Sequence, residues 1–299
     1  MLSDFDHGRE RGVPTGFDSL APHFSWMFSW LYMLNGYPNE GKTTAMLNLM
    51  ATSTILYEYK WGIYSPENYP IKNIIDTLVE IFLNNTTNPE ITTRVKKYDF
   101  KDVIKEHINK HFFFVDNENG YTPKELLVVK EELIKKKGIN GFFTDPWTAL
   151  NHIVPQREDM YIAQCLNQEI RLAKKYNIIN VISHHPPKPA DVKGTLKAPH
   201  PYQLSGGSTW WNKADVIFCI HRWDRADFSV SKVGLHVQKV KEVKLFGDKT
   251  NPDKPVIFEY QHRTNRFLER EVTSDINSAY NRYPFKKWEN KNQLTFEDF

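Results

Sequence analysis

Trp30-Leu-Tyr-Met-Leu-Asn35, Gly36-Tyr-Pro-Asn-Glu-Gly-Lys-Thr-Thr44 and Ala45-Met-Leu-Asn-Leu-Met50 follow one another without a break. The middle stretch is a complete G-x-x-x-x-G-K-T loop. The run before it reads as an apolar strand, and the run after it as a helix from about Thr43 to Leu56. In such a loop the glycines let backbone N–H groups turn inward around phosphates, while the helix adds its positive amino-terminal end. Lys42 reaches the β and γ oxygens, and the Thr43 hydroxyl is offered to magnesium. Gly36, Pro38, Asn39, Glu40, Gly41, Lys42, Thr43 and Thr44 are thus the candidate residues for binding ATP with Mg2+.

Beyond this helix, strands and helices alternate. Strand-like runs lie at Trp61–Ser65, His111–Val115, Gly141–Thr144 and Ile178–Ser183, and helical spacing at Ile71–Leu83, Pro123–Lys137 and Asp159–Tyr176. Short, nearly all-apolar strands separated by helices imply an α/β fold with a mainly parallel sheet and helices on both faces, a P-loop NTPase arrangement with nucleotide at the strands' carboxyl ends. From Pro186 to Gly207 the periodicity gives way to a long loop rich in Pro, Gly, Lys and Ser. Further strands follow at Asp215–Ile220, Leu235–Val240, Val256–Tyr260 and Asn265–Arg270. The expected division is a short segment 1–12, a domain 13–270 and a tail 271–299 ending Leu294-Thr-Phe-Glu-Asp-Phe299, either a frayed terminus or a docking peptide.

Composition narrows the classes. The 299 residues carry 39 Lys plus Arg against 36 Asp plus Glu, a formal charge of +3, so any surface for nucleic acid must be local. The two cysteines, Cys165 and Cys219, lack metal-ligand spacing and read as buried thiols. The apolar stretch Trp26–Leu34 is too short to cross a bilayer and no signal peptide is visible, which makes the cytoplasm the expected compartment and excludes a membrane partner.

A P-loop enzyme needs a carboxylate at the end of a buried strand to hold magnesium. Gly141-Phe-Phe-Thr-Asp145 supplies Asp145, although Asp145-Pro146 is also a good turn starter. Hydrolysis needs a group that orients or deprotonates water. Glu67, in Tyr64-Ser-Pro-Glu-Asn68, stands just past the strand that follows the P-loop helix. The strand ending at Ser183 runs into His184-His185-Pro186-Pro187-Lys188, where a polar side chain can touch the γ-phosphate.

Taken in order, these pieces resemble the hexameric replicative DNA helicases with a RecA-like motor, the DnaB type and especially its Twinkle and phage primase-helicase branch. The resemblance runs from about Gly12 to Arg270. It begins at Gly12-Val-Pro-Thr-Gly-Phe-Asp-Ser-Leu20 and continues through the P-loop, Ser65-Pro-Glu-Asn68 and Thr144-Asp-Pro-Trp147. The His-Pro-x-Lys of His185 to Lys188 and Leu204-Ser-Gly-Gly-Ser-Thr-Trp-Trp-Asn-Lys-Ala-Asp215 complete it. It implies a RecA-like P-loop NTPase fold and an ATP-dependent helicase working on single-stranded DNA in replication. It also implies self-assembly into a ring, a hexamer, with ATP between subunits.

By the same resemblance Glu67 is the catalytic base, Asp145 the magnesium-side acid, and His184 or His185 the γ-phosphate sensor. Position in the strand favours His184; the His-Pro motif favours His185. Val237-Gln-Lys-Val-Lys241 resembles the element that reaches a neighbouring subunit's ATP, with Lys239 and Lys241 where the family has Lys-x-Arg. Lysine is a point charge where arginine is a planar fork, so Arg222 and Arg263 are alternative fingers. Tyr260 matches an adenine-stacking aromatic.

Lys188, Lys193, Lys197, Ser205, Gly206 and Gly207 are the candidate DNA contacts, suited to gripping phosphates without reading bases. Asn151–Arg157 is a second candidate loop. No zinc-ribbon cysteines are present, so priming activity within this chain is not expected; a separately encoded primase or loader is the candidate partner. Recombinase-like filaments, and a slow ATP-dependent scaffold or switch, are the alternative readings.

Overall fold

The computed structural model describes residues 11–84, 86–87, 99–116, 118–154, 157–187, 196–223 and 231–269, and of 99–103 the backbone only. The expected tail 271–299 and Arg270, the end of the last expected strand, lie outside them. The amino-terminal half comprises β1 (Val13–Pro14), β2 (Ser25–Trp26), β3 (Leu31–Asn35), α1 (Lys42–Tyr57), β4 (Trp61–Tyr64), α2 (Lys72–Leu83), α3 (Asp99–His111) and β5 (Phe112–Val115). There follow α4 (Pro123–Lys137), β6 (Gly141–Thr144), α5 (Glu158–Tyr176), β7 (Ile179–Ser183), α6 (Gly207–Lys213) and β8 (Val216–His221). β9 (Lys232–Val240), α7 (Val243–Phe246), β10 (Val256–Gln261) and β11 (Arg266–Glu269) complete the domain.

β1 and β2 form a small antiparallel ladder, and the other strands form one nine-stranded sheet in the order β11-β10-β9-β8-β3-β7-β6-β4-β5. From β8 to β5 all neighbours are parallel, whereas β9, β10 and β11 extend the sheet antiparallel. The chain leaves β3 through α1 and re-enters the sheet at β4, beyond β7 and β6. That reversal opens a crevice at the carboxyl ends of β3 and β7, where α/β sheets take their ligands.

β3, β4, β6, β7 and β8 are buried at every position, which is why they read as unbroken apolar runs. Alternate residues serve opposite faces. Tyr32, Leu34, Phe143, Val181 and Phe218 pack with α1, α2 and α3, and Leu31, Met33, Phe142, Ile182 and Ile217 with α4, α5 and α6. α1 is buried almost all round. Its Thr52, Ser53 and Thr54 hydroxyls donate to the carbonyls of Leu49, Met50 and Ala51 at 2.7–3.0 Å, which lets polar residues sit inside without unmet donors.

The segment before β3 covers the first face. Phe24 meets Trp26, Phe218 and Phe246 at ring distances of 5.0–5.2 Å, and Phe17 meets Phe258 of β10 at 5.3 Å. Phe17 and Leu20 of the Gly12–Leu20 stretch are therefore part of the core. On the opposite face Lys130 of α4 and Glu169 of α5 form a fully buried pair at 2.8 Å, and Asn180 of β7 donates to the same carboxylate at 2.7 Å.

The short elements β1, β2, α6 and α7 are absent from the sequence reading, and two longer ones also depart from it. α3 is absent from the sequence reading because its apolar face is carried mainly by Ile104 and Ile108 amid charged residues. β9 starts at Lys232 rather than Leu235, because Lys232 and Gly234 hide its beginning.

Candidate nucleotide site

The P-loop leaves β3 at Asn35. Gly36 has φ 147°, and a Cβ there would lie 2.6 Å from the Ile220 carbonyl, so no side chain fits. Gly41 caps α1 in the left-handed region at φ 86°. The Asn35 side-chain oxygen accepts from the Gly36 amide at 2.8 Å, which fixes the exit from the strand. Lys42 is buried, and its ammonium donates to the Gly36 and Tyr37 carbonyls at 2.8 Å each. Burial pulls its pKa down to about 8, against the opposing pull of Asp145, Glu40, Cys219 and Glu67.

Glu40, inside the loop, is fully buried. One of its oxygens accepts from the Tyr37 amide at 3.2 Å and the other lies 3.1 Å from Nδ1 of His221, the last residue of β8. His221 Nε2 is 2.8 Å from the Leu196 carbonyl. A carbonyl only accepts, so Nε2 carries a proton, and Nδ1 faces the Glu40 carboxylate.

Asp145, just past β6, gathers hydroxyls from three other elements. Its Oδ2 accepts from Thr43 at 2.6 Å, Ser65 at 3.1 Å and Asn68 at 3.4 Å, and its Oδ1 from Ser183. The ends of β4, β6 and β7 and the first turn of α1 thus converge on one carboxylate. The donor set is entirely hard oxygen where Thr43 meets Asp145, which suits Mg2+.

Glu67 lies on the turn after β4, exposed, and its Oε2 is 3.3 Å from His185 Nε2. The hydrogen bond from His185 holds the Glu67 pKa below its usual 4.5, outweighing burial. The two adjacent histidines are separated sharply. His184 continues the β7 ladder to the Leu34 carbonyl at 2.9 Å, packs edge-on to Trp210 at 5.3 Å, and is driven by burial to a pKa of about 4. His185 turns toward Glu67, and its Nδ1 is buried with no hydrogen-bond partner among the described residues.

Lys239 and Lys241 sit at the opposite, amino-terminal edge of the parallel strands. Lys239 donates to the Trp211 and Ala214 carbonyls and so closes the end of α6, whereas Lys241 is exposed and paired to Asp215 at 3.0 Å. Neither reaches this chain's own P-loop. Arg222 directly follows β8, and Arg263 is exposed in the β10–β11 turn. Tyr260 donates its hydroxyl to Asn265, whose carbonyl accepts from Asn48 of α1 at 2.8 Å, so the hairpin rests on the P-loop helix.

Of the expected DNA contacts, Lys188 and Lys193 lie outside the described residues. Lys197 is exposed, and Ser205 is exposed and donates to Glu158. Gly206 and Gly207 have a packing explanation: Cβ atoms there would meet Ile162 and the Pro201 carbonyl at 2.5 Å. In the second candidate loop Ile153 and Val154 are exposed.

Asn35, Ser65, Ser183 and the Glu40–His221 contact were missed in the sequence. Ser65 and Ser183 each stand at the carboxyl end of a buried strand, the same signal that marks Asp145. No local pattern connects Glu40 with His221.

No protein-family profile matches the chain. It is 25% identical over 246 residues, 80% of its length, to the chloroplastic/mitochondrial Twinkle homolog protein of Arabidopsis thaliana, and spans 34% of that relative's length. In fold it is similar to a DnaB-like replicative helicase solved for its interactions with primase. The TM-score is 0.68 at 15% identity, over 89% of this chain and 66% of that one. A second solved structure, the ATPase domain of another protein, gives 0.69 at 15% identity, over 90% of this chain and 95% of that one. Among the described residues no helix is long and apolar enough to cross a membrane. Motif order, sheet order and the likeness to Twinkle agree: the chain has a RecA-like P-loop fold similar to that of DnaB-type and Twinkle helicases.

Proposed function

We propose that this domain is the motor of a replicative DNA helicase, assembling as a hexameric ring that hydrolyses ATP between subunits and moves along single-stranded DNA to unwind duplex. The observation that carries the reading is the convergence of Lys42, Thr43, Glu67, Asp145 and His185 at the carboxyl ends of β3, β4, β6 and β7. Lys42 neutralises the phosphates, and Thr43 with Asp145 holds magnesium, which supplies charge neutralisation on the phosphate oxygens. Glu67, kept ionised by His185, orients and deprotonates water.

Of the two histidines we assign the γ-phosphate sensor to His185, because its Nδ1 has no partner among the described residues while His184 is packed behind Trp210. Lys241, exposed at the far edge, reaches the adjoining subunit's ATP. Tyr260 stacks on adenine, and the loop through Lys188, Lys193, Lys197 and Ser205 to Gly207 grips DNA phosphates. A separately encoded primase or loader is the expected partner, and the cytoplasm the proposed compartment.

The test is steady-state ATP hydrolysis with and without single-stranded DNA at two protein concentrations. Stimulation that grows with concentration is expected; turnover that ignores DNA would overturn the motor reading. Lysine in place of arginine at Lys241 favours one second reading, a slow ATP-dependent switch, whose mark is ATP-driven assembly with little turnover. Closed rings rather than open filaments by electron microscopy separate the motor from a recombinase-like ATPase.

A further inference from the structure

Where the long loop returns to the sheet, its stem lines, with β9, a cleft of about 530 Å³, within the roughly 300–1,000 Å³ of small-ligand sites. Two features of its lining stand out. His236 of β9 lines it, is 4% exposed, and has a buried Nε2 without a hydrogen-bond partner among the described residues. Burial and the neighbouring His221 lower its pKa to about 4, leaving a neutral imidazole near pH 7.

Trp223 supplies an aromatic wall. It packs over Gly234, where a Cβ would come within 2.8 Å of the indole, so the absence of a side chain at that strand position is what seats the ring. Its ring lies 5.9 Å from that of His221 and 6.5 Å from that of His236. Exposed Lys197 and Lys249 stand at the rim, with Asp253 beside them.

An aromatic wall, one unmet imidazole nitrogen and two cations at the mouth fit a flat heterocycle attached to a phosphate. We propose that this cleft takes one nucleobase of the single strand bound by the adjoining loop. The base lies along Trp223 and hydrogen-bonds to His236, with Lys197 and Lys249 on its flanking phosphates. The assignment rests on the DNA-motor reading above. It differs from that reading's phosphate grip because it depends on the presence of a base. The strand is favoured over free nucleotide because Lys197 and His200 of the lining belong to the stem of the DNA loop itself.

Fluorescence anisotropy on the full chain tests it, comparing labelled oligothymidylate with an abasic oligonucleotide of equal length and charge. The wild-type protein is expected to bind the former about tenfold more tightly, the order of one base–aromatic stack. Trp223→Ala and His236→Phe are each expected to remove that difference while leaving abasic binding and DNA-free ATP hydrolysis unchanged, and Trp223→Phe to restore most of it.

Equal wild-type affinity for the two oligonucleotides, with DNA-stimulated hydrolysis intact, overturns the pocket and spares the motor. Binding to neither overturns both. If a fluorescent ATP analogue still binds the Lys42→Ala chain and loses that binding when Trp223→Ala is added, the occupant is free nucleotide and the strand assignment fails.

Discussion

The Thr43 hydroxyl donates to Asp145 at 2.6 Å, joining the first turn of the P-loop helix to the end of a strand 102 residues away. The same carboxylate accepts from Ser65 and Ser183, so its orientation is set by three hydroxyls. Asp145→Asn is expected to raise the magnesium concentration needed for half-maximal ATP turnover about 10–100-fold, the usual effect of disturbing a group that orients a metal site. A magnesium titration of hydrolysis checks this; an unchanged half-saturation point would remove Asp145 from the metal site.

Glu67→Gln is expected to lower kcat about 10²–10⁴-fold while nucleotide affinity stays within a few-fold of wild type, since the change removes a base and not a binding group. The hydrogen bond from His185 is the largest cause of the lowered Glu67 pKa. The acid limb of the pH–rate profile therefore falls below the ordinary carboxylate value, and His185→Ala is expected to move it upward. A limb that stays put in that variant would show that the pair does not set it.

Lys42 titrates near pH 8 in the free protein because it is buried, and bound phosphate favours its charged form. Nucleotide affinity is thus full below about pH 8 and falls as pH rises beyond it, by up to about tenfold per unit. Lys42→Arg, charged throughout, is expected to show no such fall when a fluorescent ADP is titrated with magnesium present. For folding, the unfolded chain holds the Lys42 proton up to the ordinary lysine value of 10.5, so this group's contribution to stability rises with pH between the two values.

Lys130 and Glu169 form a pair that is buried on both sides. Glu169→Ala strands the ammonium over the Phe142 ring and is expected to cost about 3–5 kcal/mol in urea unfolding. The double change Lys130→Met with Glu169→Leu is expected to recover most of that loss. If the double variant is as unstable as the single one, the cost belongs to packing and not to the stranded charge.

The legible parts of this fold were those that repeat a local rule. All-apolar runs bounded by turns marked β3, β4, β6 and β7, and the Gly-rich loop with its lysine marked the turn from β3 into α1. The placement of Asp145 and Glu67 was legible because each stands one or a few residues past a buried strand. The choice between His184 and His185 was not, because their separation depends on Trp210, which fills the space behind one of them only. The buried Lys130–Glu169 pair was equally hidden: both residues sit in helices whose other charges face water, and only the packing of α4 against α5 turns them inward.

The described ends of the segment between β7 and α6 are both held to the candidate nucleotide site. The outgoing end is His185, held to Glu67. The return end is Leu196 and Pro199: the Leu196 carbonyl is held by His221 and so by Glu40, and the Pro199 carbonyl accepts from Asn35 and Gln238 at 2.8 Å each. A shift at the return end is passed to the P-loop through the His221–Glu40 contact and the Asn35 side-chain amide.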